Sequence, residues 1–270
     1  WDRAIEEFEK IPENFPNSKL SAEGVYYAGL SWQQKGDLAK AADAFQKLAD
    51  KYPYSDRIKD AMKREFDIAN DFASGEKVKV LGIPALSGQE KALELYKHIV
   101  KNAPFGTFGD QAQFKVGDLY KSQEEFEEAQ KAYQKVVDDY PNSEWAGKAR
   151  YAIADCSMQA AKKAQYDEKT AQKAIEQFQG FKQTFPEASQ AIEADAAIKT
   201  LREKNALTNL QTAAFYEKQK KLSSAKVYYE EVIRQYPETS SADAARKKIE
   251  EIIKNDIEPS KSSKPWYQLW

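Results

Sequence analysis

Bond-making chemistry needs a nucleophile beside a base, a set of metal ligands or a pair of carboxylates held in a pocket. This chain of 270 residues offers little of the kind. Its only cysteine is Cys156 and its only histidine is His98. Cys156 stands in Ala-Asp-Cys-Ser-Met, a helix-like stretch, and reads as a buried structural thiol. His98 lies in the amphipathic run from Leu93 to Val100 and also reads as structural. One of each makes neither a Cys-His dyad nor a zinc site of Cys and His. Paired acids such as Asp138-Asp139 and Glu127-Glu128 are frequent, but with 31% charged residues they read as solvated helix faces. There is no Gly-rich phosphate loop, no Gly-x-Ser-x-Gly and no His-Glu-x-x-His. The expectation is a protein that is not an enzyme, with no cofactor and no metal.

The side chains that recur suit binding, and a repeat positions them. Pro16, Pro53, Pro104, Pro141, Pro186 and Pro237 each lie 12 residues after an alanine, namely Ala4, Ala41, Ala92, Ala129, Ala174 and Ala225. Four residues after each alanine comes a ring: Phe8, Phe45, Tyr96, Tyr133, Phe178 and Tyr229. That spacing puts alanine and ring on one helical face. In every copy but one, where Ala103 stands, an aromatic also precedes the proline. Proline ends the helix and drives its predecessor out of helical geometry. The hydroxyls that follow, in Asn17-Ser18, Tyr54-Ser55, Asn142-Ser143 and Thr239-Ser240, are caps for the next helix. Six such B helices, each followed by an A helix, predict an all-α tetratricopeptide-repeat superhelix, an α-solenoid of antiparallel helix pairs. The single solenoid would span 1–256, with halves at 1–104 and 105–256, and end in a capping helix from Ser240 to Asn255. In that helix Ala244, Ile249, Ile252 and Ile253 would face the array.

Small residues on the A helices set the register. Gly29 and Gly117 each stand 12 residues before the B-helix alanine, and Ala154 takes this place in the fifth pair. Each lets two helices approach closely. Phe66 occupies the place in the third pair, which must therefore pack differently. Asp118, beside Gly117, falls on the exposed side of this register. Proline intervals of 37 residues are interrupted by two of 51. The first contains an apolar, glycine-bearing loop at 72–89, and the second a long A helix from about Ser189 to Lys218. The residues from 257 on form a linker with an aromatic end, Trp266-Tyr-Gln-Leu-Trp270. This tail is expected to dock on an apolar patch or to fray.

Counted from Gly29, Gly117 and Ala154, the concave A-helix face would present Tyr26, Leu30, Gln33 and Gln34, then Phe114 and Lys121, then Tyr151 and Gln159. Exposed rings beside amides suit an extended peptide. Packing of those rings against the neighbouring pair is the alternative. Net charge is −2, which argues against a nucleic-acid partner, and no apolar run is long enough to span a membrane. From Lys199 to Lys254 there are 12 Lys/Arg and 8 Asp/Glu. Lys218, Lys220 and Lys221 crowd the turn after the long helix and would steer an acidic partner.

The Tyr-Pro-x-Ser turns at 37-residue spacing, the inserted loop and the long helix resemble one family, the BamD-like outer-membrane lipoproteins. The stretch from Leu201 to Thr239, with Asn209-Leu-Gln-Thr-Ala-Ala-Phe-Tyr-Glu-Lys-Gln and Ile233-Arg-Gln-Tyr-Pro-Glu-Thr, is the most specific part. The resemblance covers Trp1 to about Ile253. It implies a periplasmic tetratricopeptide subunit of the β-barrel assembly machinery, bound to partner subunits and unfolded barrel substrates. It also implies an N-terminal lipid anchor ahead of Trp1, at the periplasmic face of the outer membrane. Two other readings stay open: the periplasmic coordinator of cell-wall synthesis and envelope constriction, and a generic tetratricopeptide adaptor.

A fold built on aromatic-alanine packing alone should melt at the same temperature with and without a strong chelator. A drop of several degrees in a circular-dichroism melt would reveal a structural metal.

Overall fold

The prolines set the ends of the helices. In the computed structural model, B helices α1 (Asp2–Asn14), α3 (Leu38–Lys51), α5 (Gly88–Asn102), α7 (Phe126–Asp139), α9 (Glu168–Thr184) and α11 (Leu222–Gln235) each stop two residues before one. The intervening residues Phe15, Tyr52, Ala103, Tyr140, Phe185 and Tyr236 share one conformation, φ −139 to −130° and ψ 51 to 62°. This is the region into which a following proline pushes its neighbour. Each of these residues then accepts, at 3.0–3.2 Å, a backbone N–H from three residues on. Six identical turns thus lead into A helices α2 (Lys19–Lys35), α4 (Ile58–Ala73), α6 (Gly109–Ser122), α8 (Glu144–Lys163), α10 (Gln190–Lys218) and α12 (Ser240–Ile257). Ser18, Ser55 and Ser143 accept the N–H two residues on, as caps. At the last turn the cap is Thr239, which accepts from Ala242 N.

The structure describes residues 1–16, 18–75, 78–80, 83–163 and 167–257, with 78–80, 83–86 and 255–257 by backbone alone. Asn17 and residues 258–270 of the aromatic-ended tail lie outside the described residues. The chain divides into two compact units, Trp1–Cys156 and Ser157–Trp270, so the division falls inside α8 rather than at residue 104.

In the first unit, helices pair through glycine and ring. A methyl group added to Gly29 would lie 2.7 Å from the Phe45 ring, and one added to Gly117 would lie 2.5 Å from that of Tyr133. Neither ring has anywhere to go, since both are fully buried. Where Phe66 replaces the small residue, ring meets ring instead. Phe66 stacks on Phe108 at 5.0 Å and tilts against Tyr96 at 5.7 Å. Gly24, a close contact not anticipated from sequence, seats α2 on α1, where an added methyl group would lie 2.9 Å from Ile11 Cβ.

Buried tyrosines carry a hydroxyl that must be satisfied. Tyr96 donates to Asn70 Oδ1 at 2.7 Å and Tyr133 to Asp118 Oδ1 at 2.7 Å. In the second unit Tyr229 donates to Glu217 Oε2 at 2.5 Å. Asp118 is therefore not a bystander on the exposed side, as its register suggested, but the acceptor for a core tyrosine. Burial raises the Tyr133 pKa far above the ordinary phenol range, with Asp118 adding to it.

The second unit packs α9, α10, α11 and α12 in order. Its cap helix presents Ala242, Ala245, Ile249 and Ile252 to the core, while Ile253, expected inside, is exposed. Glu203 of α10 holds the first turn of α12, accepting from Ser240 N at 2.9 Å and Ser241 N at 3.1 Å. A carboxylate is favoured at that helix end.

The insertion at 72–89 is not wholly a loop. β1 (Val78–Val80) and β2 (Ile83–Leu86) pair antiparallel, with Val80 opposite Ile83 and an irregularity between Val78 and Lys79. The alternation of Val78 and Val80 was the strand signal, masked by the glycines around it.

Gly117→Leu should cost about 1–3 kcal/mol by overpacking. Asp118→Ala should cost about 1–3 kcal/mol by orphaning the Tyr133 hydroxyl. Adding Tyr133→Phe to Asp118→Ala should restore much of that loss in urea unfolding, and a purely additive pair would refute the hydroxyl's role.

Candidate functional site

Consecutive A helices in the first unit are laced together one repeat apart. Arg57 Nε, at the N-cap of α4, donates to both oxygens of Glu23 on α2, at 2.9 and 3.1 Å. Its guanidinium lies over the rings of Tyr26 and Tyr27, 5.2 and 5.7 Å from their centroids. Tyr26 donates to Asp60, which also accepts from Arg64 Nε at 2.7 Å. Arg64 Nη1 in turn donates to Gln33 Oε1 at 3.0 Å. The same ladder recurs between α6 and α8. Ser143 donates to Asp110 at 2.5 Å, and Lys121 pairs with Asp155 at 2.6 Å. Burial works against the charge on Lys121, yet Asp155 raises its pKa.

This ladder absorbs several side chains expected to meet a peptide. Tyr26 is buried rather than an exposed ring, and with Gln33 it belongs to the α2–α4 link. Phe114 is half-buried between Tyr133 and Trp145, 5.0 and 4.9 Å away. Lys121 is held by Asp155. Leu30 packs against the core of the first unit. Tyr151 and Gln159 are half-buried and engaged with other residues, and Gln159 falls in the second unit. Gln34 alone of the set is exposed. Cys156 is buried, and burial pushes its thiol up to about 12, as suits a structural group.

Open apolar surface in the first unit lies instead at the edge formed by the turns. A groove of about 690 Å³ runs between the turns at Pro16 and Pro53, lined by Leu20, Lys51, Tyr52 and Tyr54 among others. Tyr54 is 99% exposed and Leu20 63%. Their position just beyond each proline, outside the alanine-ring pattern, was the signal available in sequence.

In the second unit, Lys218, Lys220 and Lys221 are all exposed at the turn from α10 to α11. They sit beside an aromatic patch that sequence reasoning missed. Phe215 is 58% exposed, and Tyr216 stacks on Tyr228 at 5.1 Å with an interplanar angle of 8°. Lys220 takes φ 60°, a left-handed conformation that favours glycine. The corresponding turn after α2 uses Gly36 at φ 85°. Glu217, the nearby carboxylate, is already committed to Tyr229 and, at 3.4 Å, to Lys248.

Against known proteins, a sequence model of the family YfiO, described as outer membrane lipoprotein, matches residues 87–263. A tetratricopeptide-repeat model matches residues 23–55. Among solved structures, YrrB, a tetratricopeptide protein with an unusual peptide-binding site, aligns with a TM-score of 0.40 at 13% identity, over 90% of this chain and 99% of that one. An array of nearly identical tetratricopeptide-like repeats of a kinesin light chain from Podosopora anserina aligns with a TM-score of 0.36 at 11% identity, over 86% and 98%. No curated protein matches the chain.

Lys220→Gly should stabilise the second unit by about 0.5–1 kcal/mol through relief of the left-handed strain. Lys218→Ala should leave stability within about 0.5 kcal/mol. Thermal melts check both, and an unstrained Lys220 would show as a loss rather than a gain.

Proposed function

The chain belongs to the YfiO family of outer membrane lipoproteins, and on that premise we propose that it is a non-enzymatic scaffold of outer-membrane β-barrel assembly. Tetratricopeptide helix pairs support a role in holding other chains. In this reading the protein works at the periplasmic face of the outer membrane, tethered by a lipid anchor. The match to an outer membrane lipoprotein family supports a place at the outer membrane.

The observation that carries the division of labour is the contrast between a consumed A-helix face and two open apolar surfaces. In the first unit, an extended segment of an unfolded barrel protein lies along the turn-edge groove. Leu20, Tyr52 and Tyr54 supply apolar area, and Gln34 is exposed on the A-helix face. A ring such as that of Tyr54 offers large contact area with few torsions to freeze. In the second unit, Phe215, Tyr216 and Tyr228 form the anchor of a partner-subunit interface, and Lys218, Lys220 and Lys221 form its charged rim. Rim charges of this kind speed encounter with an acidic surface and are sensitive to salt.

A fluorescein-labelled peptide copied from the aromatic-ended C-terminal strand of an outer-membrane barrel tests the first surface. Tyr54→Ala with Leu20→Ala should weaken binding by about fivefold or more, on the order of 1 kcal/mol, with an unchanged melting curve. Tyr26→Phe should leave affinity unchanged. Loss with Tyr26→Phe and none with the edge variants would return the site to the A-helix face. For the second surface, Phe215→Ala and reversal of the three lysines to glutamate should lower affinity for the purified partner subunit without affecting the peptide.

A further inference from the structure

Helices α3, α4 and α5 meet at a polar cluster set in an apolar contact. The Glu65 side chain on α4 is 0% exposed, and its Oε1 lies 2.8 Å from Nδ1 of His98 on α5. The other ring nitrogen of His98 lies 3.3 Å from Oδ1 of Asp50 on α3. No donor meets either Glu65 oxygen in good alignment, and the side chains that reach it are those of His98 and of Gln46 on α3. A carboxylate so weakly bonded is expensive in a core. Its compensation is therefore charge, from an imidazolium at ion-pair distance, or a proton of its own. Both remedies place an extra proton in the cluster when the protein folds.

The cluster also has a place in the architecture. The B helices α3 and α5 are joined by a series of contacts at one offset of 48 residues: Asp43 with Lys91 at 2.9 Å, Gln46 with Glu94 at 3.4 Å and Asp50 with His98. Between them lies the hairpin insertion, so chain connectivity does little to hold α5 in register. We propose that Glu65, His98 and Asp50 form a proton-operated clasp that seats α5 on α3 and α4. Carrying its proton, the imidazolium bridges two carboxylates from two helices. Without it, Glu65 loses its counter-charge in the core and one of the α3–α5 links is lost, which frees the end of α5 next to Pro104.

The electrostatics agree in sign. Burial works against charge on His98, but Glu65 and Asp50 overcome it and raise its pKa above the ordinary 6.5. Burial raises Glu65 as well, with the imidazole only partly offsetting it. Glu65 and Asp50 are the charged groups acting on the ring. On the other side of α5, Tyr120 of α6 engages Lys97. Because the folded protein holds the His98 proton more tightly than the unfolded chain, the stabilisation that His98 contributes is complete below 6.5. It is lost as pH rises through the folded pKa of His98.

A chain with a single histidine allows a direct test. The imidazole signals of the whole protein, followed by NMR against pH, should titrate with a midpoint above 6.5. Amide exchange in α5, corrected for its intrinsic pH dependence and referred to α7, should speed up over the same range. Glu65→Gln should lower the midpoint the most, and Asp50→Asn, at a half-exposed site that does not threaten folding, should lower it less. A wild-type midpoint at or below 6.5 would overturn the clasp. So would a midpoint unmoved by Asp50→Asn and Glu65→Gln, or α5 exchange that ignores the titration.

Discussion

The close approach of two helices at a glycine is the constraint on which the first unit rests. A backbone at Gly29 or Gly117 touches a ring that stands on the partner helix, and no other side chain fits between them. Once the ring is buried there, its chemistry is dictated by what flanks the glycine. Beside Gly117 stands Asp118, and the ring is a tyrosine whose hydroxyl donates to it. Beside Gly29 stands Leu30, and the ring is Phe45, with no hydroxyl to satisfy. Where Phe66 fills the glycine's place, the acceptor moves one turn along, to Asn70, and Tyr96 reaches it there. Packing and polar satisfaction are thus solved together in each pair, as a well-packed core requires.

The second layer of order is lateral. Glu23 with Arg57, Tyr26 with Asp60 and Lys121 with Asp155 each join residues 34 apart, about one helical turn less than the 37 of a helix pair. Exposed ion pairs contribute little individually. Repeated at one offset, they fix how far each A helix slides along the next. They also occupy much of the A-helix face in the first unit, which moves the open apolar surface to the turns. An open apolar surface at an edge rather than on a face follows from how the fold is held together.

Much of this was legible in sequence because it is local. A proline, the aromatic before it and the alanine 12 residues earlier depend only on neighbours in the chain, and six turns of one geometry repay that reading. The glycine register was legible for the same reason. The availability of Tyr26, Phe114 and Lys121 was not, because it depends on which residue of the next repeat lies opposite. Yet the complementary pairs stand in the sequence at one fixed spacing of 34, and a search for opposite charges at that spacing finds Glu23 and Arg57. Ile253 shows the opposite limit. At the end of the last helix no following element says which of two adjacent isoleucines is covered, and Ile252 is the one inside.

The hairpin between α4 and α5 carries a broader meaning for how such arrays change over time. Contacts across the A helices run at an offset of 34 residues and those from α3 to α5 at 48, so the extra length is confined to one excursion while the helices on either side keep their partners. The cost of closing such an excursion grows only with the logarithm of its length. The junction between Ala73 and Gly88 is therefore a port, a place where the lineage can splice in new sequence, even a whole folded module, and leave the ancestral frame undisturbed.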